Sequence, residues 1–481
     1  GVRYTLNFPS KEVENQGAVF NLRTQQLDYL GSSGVPRSAR QLHKLNFGPR
    51  LGMAFRLSES TVMRSGYGLI WIDQAGITTP FTAPQFPFIQ TVAQRTLDNI
   101  RPAFALSAGP SVQPIPLTPD AGLGQGVFSV DRRLGSGYAQ HWNAAIQREL
   151  PHNLLVEIAY AGSKGTHIGI PDTNLNQLTE EQLKLGAALL EPLPNPFLGQ
   201  ISSSSSLGAP TISRAQLLKP FPRFTTVSLY RNNVGNTNYH SLQATLEKRW
   251  SSGTQFRISY TRSKLIDEAS SVFDASILTG PVANFPVADS FNRRLERDVS
   301  TGDIPNAFVA SWVLELPFGL GGAIDPGGIR GKLTSGWELA GVLTWQSGLP
   351  IAVSQTTNFN AFAGFGTQRP NCIADPALPA SERSTARYFD TSAFRTVPQF
   401  ALGSCSRNPV RGPGYRNLDL ALIKRTGITE RLVADFRAEA YNLTNTPPFG
   451  NPAAVLGAAG FGSITSAGDP RVIQFAIKLQ F

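Results

Sequence analysis

Strict alternation of apolar and polar residues, repeated in segments of about ten to thirteen residues, constrains this chain more than any other feature. In 47–57, Phe47, Leu51, Met53, Phe55 and Leu57 oppose Arg50, Gly52, Ala54 and Arg56. In 61–72, Met63, Tyr67, Leu69 and Trp71 oppose Arg64, Gly66 and Gly68. The pattern returns in 138–149, 153–163, 238–250, 253–263, 306–316, 335–347, 416–425 and 430–441. A partial segment at 1–6 and a last one at 471–481 bring the total to about twelve. A period of two places successive side chains on opposite sides of a strand, so each segment reads as a strand with one apolar and one polar face.

The connections alternate in length. Tight turns at Ser58-Glu59-Ser60, Pro151-His152 and Ser251-Ser252 join strands into hairpins, whereas 73–137, 164–237, 264–305, 348–415 and 442–470 are long. The 317–330 connection falls on the short side but is longer than its counterparts. Structureless connections of that length are foreign to a compact soluble domain. Short turns on one side and long loops on the other are the rule for outer-membrane barrels. Alternation alone is equally compatible with a soluble β-sandwich that packs its apolar face inward. Here the polar faces hold Arg, Glu, Asp and Gln in mid-strand, and the apolar faces carry Trp and Tyr near strand ends, as in a lipid-facing band with aromatic girdles. The expected fold is therefore all-β: an antiparallel transmembrane β-barrel, closed because backbone groups in lipid must all be paired.

Composition agrees. Charged residues are only 16% of the chain, while Gly (45) and Pro (35) are plentiful, as many turns and long loops require. No run of about 18 apolar residues marks a membrane helix, which leaves strands of about 10 residues untouched. The net charge of +10 is scattered, without the dense basic patches of a nucleic-acid-binding module, so no nucleic-acid partner is expected. Such charge suits a basic rim facing anionic lipid headgroups. Residues 1–6 already read as strand, without a signal peptide, so the chain reads as part of something longer.

The alternation assigns faces. All six tryptophans, Trp71, Trp142, Trp250, Trp312, Trp337 and Trp345, fall on the apolar parity and are expected in an aromatic girdle. Arg64, Glu157, Gln243, Glu247, Arg257, Asp435, Arg437 and Glu439 fall on the polar parity and are expected to face the lumen. Asp419, Asp435 and Glu439 suggest an acid group but read more simply as lumen carboxylates paired with Arg437 and its neighbours. In the last segment Ile473, Phe475, Ile477, Leu479 and Phe481 share the apolar face. An aromatic end of this kind is what the bacterial outer-membrane insertion machinery reads. The two cysteines, Cys372 and Cys405, lie in one long loop, and an oxidising compartment favours a disulfide between them over two free thiols.

No chemistry stands out. Gly122-Leu-Gly124-Gln-Gly126 lacks the strand–loop–helix setting of a phosphate loop, and Ala161-Gly-Ser163-Lys-Gly165 ends a strand without starting a helix. The five histidines (43, 141, 152, 167 and 240) show no metal-ligand spacing, so no cofactor, metal or catalytic residue is expected. Thr179-Glu180-Glu181-Gln182 is a capping box and predicts a short helix on a long loop, a cap over the barrel mouth rather than a substrate contact. Phe359, Phe362 and Phe365 could stack on sugars or pack their own loop.

Taken together, LNFGPRLGMAFRL, QHWNAAIQRELPHNLLVEIAYAGSKGTHI, NYHSLQATLEKRW, TQFRISYTRSKLID, GWELAGVLTWQSGLP, YFDTSAF, RGPGYRNLDLALIK, DFRAEAYNLTNTPPFG and the last strand resemble the C-terminal half of the barrel of TonB-dependent outer-membrane receptors of the Oar-like kind. The resemblance spans nearly the whole chain, so 1–481 is expected to be the C-terminal part of such a barrel, about 12 strands of an expected total of about 22. It implies an N-terminal plug and TonB box that this sequence does not show, a TonB-type energy-coupling partner acting through them, and location in the bacterial outer membrane. It also implies uptake of an extracellular ligand (carbohydrate, peptide or protein, or chelate) bound by the long loops. The alternative is an outer-membrane adhesion or secretion-linked barrel without transport, and behind it a soluble carbohydrate-active β protein.

Overall fold

The structure, a computed structural model, describes residues 1–32, 34–72, 86–89, 96, 100–102, 104, 105, 107, 109, 115–133, 135–269, 287–318, 324, 328–429 and 431–481. Its frame is one antiparallel sheet whose main path has twelve strands in chain order. They are β1 (Val2–Tyr4), β2 (Phe47–Ser58), β3 (Thr61–Trp71), β4 (Tyr138–Leu150), β5 (Leu154–Gly169) and β6 (Asn233–Ser251). The path continues through β7 (Thr254–Asp267), β8 (Asn306–Glu315), β9 (Trp337–Gln346), β10 (Tyr415–Gly427), β11 (Val433–Tyr441) and β12 (Val472–Gln480). A short strand, Asp298–Val299, also pairs with the end of β7. The strand expected over 430–441 begins at Val433; residue 430 lies outside the described residues.

Register fixes the two faces, because residues directly opposite in adjacent strands share a side of the sheet. Leu51 pairs with Tyr67, Tyr67 with Trp142, Ile146 with Ile158, Ile158 with Ala244, and Leu246 with Ile258. Phe256 pairs with Trp312, Leu314 with Leu339, Leu339 with Leu422, Leu422 with Ala438, and Ala438 with Phe475. One apolar face therefore runs across the path, and it is open: Ile477 is 71% exposed and Leu51 70%. Two tryptophans fill notches in it, since a side chain added at Gly162 would meet Trp142 at 2.3 Å and one at Gly341 would meet Trp312 at 2.4 Å.

The tight turns follow from backbone chemistry. Ser252 and Gly253 (φ 51° and 69°) adopt the left-handed conformations that two-residue hairpins favour, and His152 and Asn153 (φ 65° and 60°) adopt them in the three-residue turn between Leu150 and Leu154. The longer 316–336 connection contains a helix, Gly328–Thr334.

Two strands outrun their alternation. β5 reaches Gly169 and β6 starts at Asn233, inside a stretch expected to be loop. These ends, GSKGTHIG and NVGNTNY, have no apolar parity because they rise above the apolar band and are polar or glycine-rich on both sides. Their backbone ladder, with register shifts between Asn233 and Asn236, holds them instead.

The core lies elsewhere. Among the described residues, the buried apolar side chains belong almost entirely to the long connections; only Ala159 and Ala310 come from the twelve strands. Val19, Leu30, Val35 and Ala39 pack on Phe128, Val130 and Tyr230. Phe20 and Leu27 pack on Val127, Phe224 and Val227. A three-stranded sheet crosses loops, Thr226–Leu229 running parallel to Gly126–Ser129 and antiparallel to Thr173–Asn174. The connections at the long-loop end thus form a packed cap with its own hydrophobic core.

Candidate functional site

The cap is assembled from residues far apart in sequence. The capping box forms as the motif requires: Thr179 Oγ1 accepts from the Gln182 amide at 3.2 Å, and the Thr179 amide donates to Gln182 Oε1 at 2.8 Å. The helix that follows, Glu180–Leu183, buries Leu183, and the next turn buries Leu189, against Leu178, Ala215, Ala363 and Phe365. Phe365 is therefore core and Phe362 packs beside it, while Phe359 remains 39% exposed. Cys372 and Cys405 are joined by a disulfide with Cα atoms 4.8 Å apart. Cys405 belongs to a cluster with Ile351, Val353, Phe389, Phe394 and Val410.

Ion pairs brace neighbouring connections. Arg369 donates to Glu296 at 2.5 Å and Arg411 to Asp303 at 2.8 Å, Arg407 pairs with Asp267, and Arg293 with Glu268. In each case at least one partner is largely buried, so losing one member would strand a desolvated charge. No local sequence signal identifies these partners, which are separated by 73, 108, 140 and 25 residues.

A second polar cluster is buried as well. Arg40 donates through Nη2 to the carbonyls of Tyr230 and Arg231, at 2.9 and 3.4 Å. Burial draws its pKa down to about 10, and its Nε and Nη1 have no hydrogen-bond partner among the described residues. Asp172 accepts from the Arg231 amide at 3.0 Å, and burial raises its pKa.

Below the cap, the polar face of the sheet carries the residues expected in the lumen. Arg64 stands level with Ala54 and Ala145, Glu157 with Gln147 and Thr245, and Gln243 with Ala159 and Thr261. Glu247 lies opposite Arg257, and Arg257 opposite Ser311. Asp435, Arg437 and Glu439 follow on β11. These residues share a face but spread along it rather than converging. A depression of about 400 Å³ on the sheet is lined by Arg257, Ser311, Val342, Asp419, Glu439 and Tyr441 among others. The partner of Asp435 is Arg425, whose Nε lies 3.0 Å from Oδ1, and not Arg437. Residues two apart on a strand are separated by roughly 6.6 Å of rise, whereas the directly opposed Arg425 reaches across the ladder.

Five tryptophans occupy the apolar face by register: Trp71, Trp142, Trp312, Trp337 and Trp345. Trp337 lies at the short-turn end, its ring 5.2 Å from Lys424 Nζ. Parity does not carry to Trp250, because the register shifts between Lys248 and Ser251. No helix among the described residues is long and apolar enough to cross a membrane, which says nothing of strands. Nor does any group of three or more His, Cys, Asp or Glu among them come together to hold a metal.

Twelve successive antiparallel strands with an exposed apolar face, a polar face behind it and a built cap at one end define an outer-membrane β-barrel protein. The chain belongs to the outer membrane beta barrel domain family, whose description matches residues 1–474. A search of curated proteins finds no match. Among solved structures, the chain is similar to the outer membrane transporter YddB from Escherichia coli (10% identity, 90% of this chain and 40% of that one, TM-score 0.43). It is similar also to the pyoverdine outer membrane receptor FpvA from Pseudomonas aeruginosa (13%, 95% and 38%, TM-score 0.40). The siderophore receptor PiuA from Acinetobacter baumannii is a third (9%, 95% and 38%, TM-score 0.39). The chain spans about two-fifths of the length of these three structures.

Proposed function

We propose that this chain forms part of a TonB-dependent outer-membrane receptor whose long connections bind an extracellular ligand and whose barrel passes it inward. In this reading the apolar face lies against lipid, the polar face lines the interior, and energy comes from a TonB-type partner acting on parts of the protein outside this sequence. Binding is non-covalent and no reaction is catalysed. The observation behind the reading is the inversion of burial: the sheet leaves its apolar side chains exposed, while the connections bury theirs in a shared core. An open apolar face of this extent requires lipid, and an ordered cap on a rigid frame is where recognition residues are normally held.

The test is uptake by whole cells of candidate carbohydrates, peptides and metal chelates, with and without a protonophore and in a strain lacking the energy-coupling protein. Accumulation that stops under both treatments supports a receptor-transporter. Surface binding that persists under both, without accumulation, would assign the protein to adhesion.

A further inference from the structure

The connection between β8 and β9 differs from the tight turns at the same end of the sheet. Ser58-Glu59-Ser60, Pro151-His152-Asn153 and Ser251-Ser252-Gly253 present no large apolar side chain. The β8–β9 connection exposes Phe318, Ile324, Ile329 and Leu333. Ile329 (79% exposed) and Leu333 (63%) stand four apart on the helix Gly328–Thr334 and so share one side of it. Gly331, across the helix from them, is buried, so the apolar pair points away from the protein. Arg330, also exposed, flanks the pair. The helix is tied to the outward face of the sheet. Trp337 Nε1 donates to the Leu333 carbonyl at 3.0 Å, and Lys424 Nζ to the Ser335 carbonyl at 2.6 Å. Register puts both of these side chains in the apolar-face row of Trp337, Lys424, Phe436 and Ile477. At the start of the connection, the Leu316 amide donates to the Trp337 carbonyl at 2.8 Å.

Ile329 and Leu333 therefore continue the apolar band beyond its last row, and that continuity identifies what covers them. A tryptophan and a lysine side by side at the end of a lipid-facing band mark the level of the headgroups. A helix that turns an apolar side outward at this level, with a cation at its flank, lies in the plane of the interface. We propose that the β8–β9 connection is an interfacial anchor: the helix Gly328–Thr334 lies on the periplasmic leaflet and inserts Ile329 and Leu333 among the acyl chains just beneath the headgroups. Short turns mark the periplasmic end of such a barrel, which assigns the leaflet. The anchor holds one arc of the barrel at a fixed depth, a task that the polar tight turns beside it cannot perform. It rests on the apolar face lying against lipid and is independent of whether the protein transports a ligand.

The variants I329C, L333C, L339C and S252C of the full-length protein are labelled with bimane without reduction, so that the Cys372–Cys405 disulfide stays closed. Each is placed in nanodiscs of phosphatidylethanolamine and phosphatidylglycerol, which leave both sides of the bilayer open to solutes. Labels at 329 and 333 are expected to emit at shorter wavelength, to be quenched by lipids carrying a nitroxide near the glycerol end of the acyl chain, and to lose quenching by aqueous iodide. The label at 252, in the β6–β7 turn, is expected to show the reverse. The label at 339, on the band itself, is expected to be quenched from deeper in the acyl chain. Labels at 329 and 333 as open to iodide as the one at 252 overturn the anchor. Acyl-chain quenching at 339 without it at 329 removes the anchor and keeps the lipid-facing band, whereas its absence at 339 removes the band itself. Protection of 329 from iodide in isolated outer membranes but not in nanodiscs overturns lipid as the occupant and assigns the helix to a periplasmic protein.

Discussion

Lys219 caps the C-terminus of the short helix Arg214–Leu218 and is 8% exposed, with no ionic partner among the described residues. Burial lowers its pKa from 10.5 to about 8, so at pH 7 the folded cap holds a desolvated ammonium at a cost of roughly 3 kcal/mol. The folded state binds this proton less tightly than the unfolded one. Cap stability should therefore rise as pH climbs from about 8 toward 10.5, and be flat through this range in Lys219→Met. At pH 7 that variant should be the more stable, which hydrogen exchange at the Phe224 and Val227 amides would read; unchanged protection would show that the ammonium reaches water. On the sheet, Leu246→Arg should cost roughly 2–4 kcal/mol against lipid while Gln243→Arg on the other face is tolerated. Equal folding yields in liposomes would contradict the assignment of faces. The sequence made the sheet parity readable because it depends only on a period of two, and parity stops short of Trp250, where the register shifts between Lys248 and Ser251. The partner of Asp435 depended on register, which no single strand reveals.

Elements were legible where a local rule governs them. Hairpins, strand cores and the capped helix follow from alternation, turn chemistry and a four-residue motif. Thr179→Ala removes one half of the capping box and should lower the local stability of Glu180–Leu183 by about 1 kcal/mol, visible as faster exchange at the Leu183 amide. The upper ends of β5 and β6 were not legible, since their sides carry no contrast and only the ladder between them fixes their length. The disulfide is the long-range element. With a sequence separation of 33, it restricts the unfolded loop and by chain-entropy arguments adds about 3–4 kcal/mol. Reducing it should raise protease sensitivity within 373–404 while leaving heat-modifiable gel migration intact. Coincident loss of both would mean that the connection is integral to the sheet.

The whole molecule contains two apolar systems stabilised by different surroundings. The outward face of the sheet is stable only where lipid or detergent covers it, and the cap core is stable in water because its side chains bury one another. Loop-closure cost predicts that they form in order. The cap joins residues such as Val19 with Tyr230 and Leu178 with Ala363, contacts that become local only when the hairpins have set the loop roots side by side. Dependence should therefore run one way. Phe224 is 1% exposed, its ring 4.7 Å from that of Phe20, and Phe224→Ala should destabilise the cap by about 3–5 kcal/mol. The barrel of that variant should still insert, giving normal heat-modifiable migration with a proteolysed cap. Leu246→Arg should remove insertion and cap together. A Phe224→Ala protein that fails to insert would mean that the cap forms first and templates the sheet.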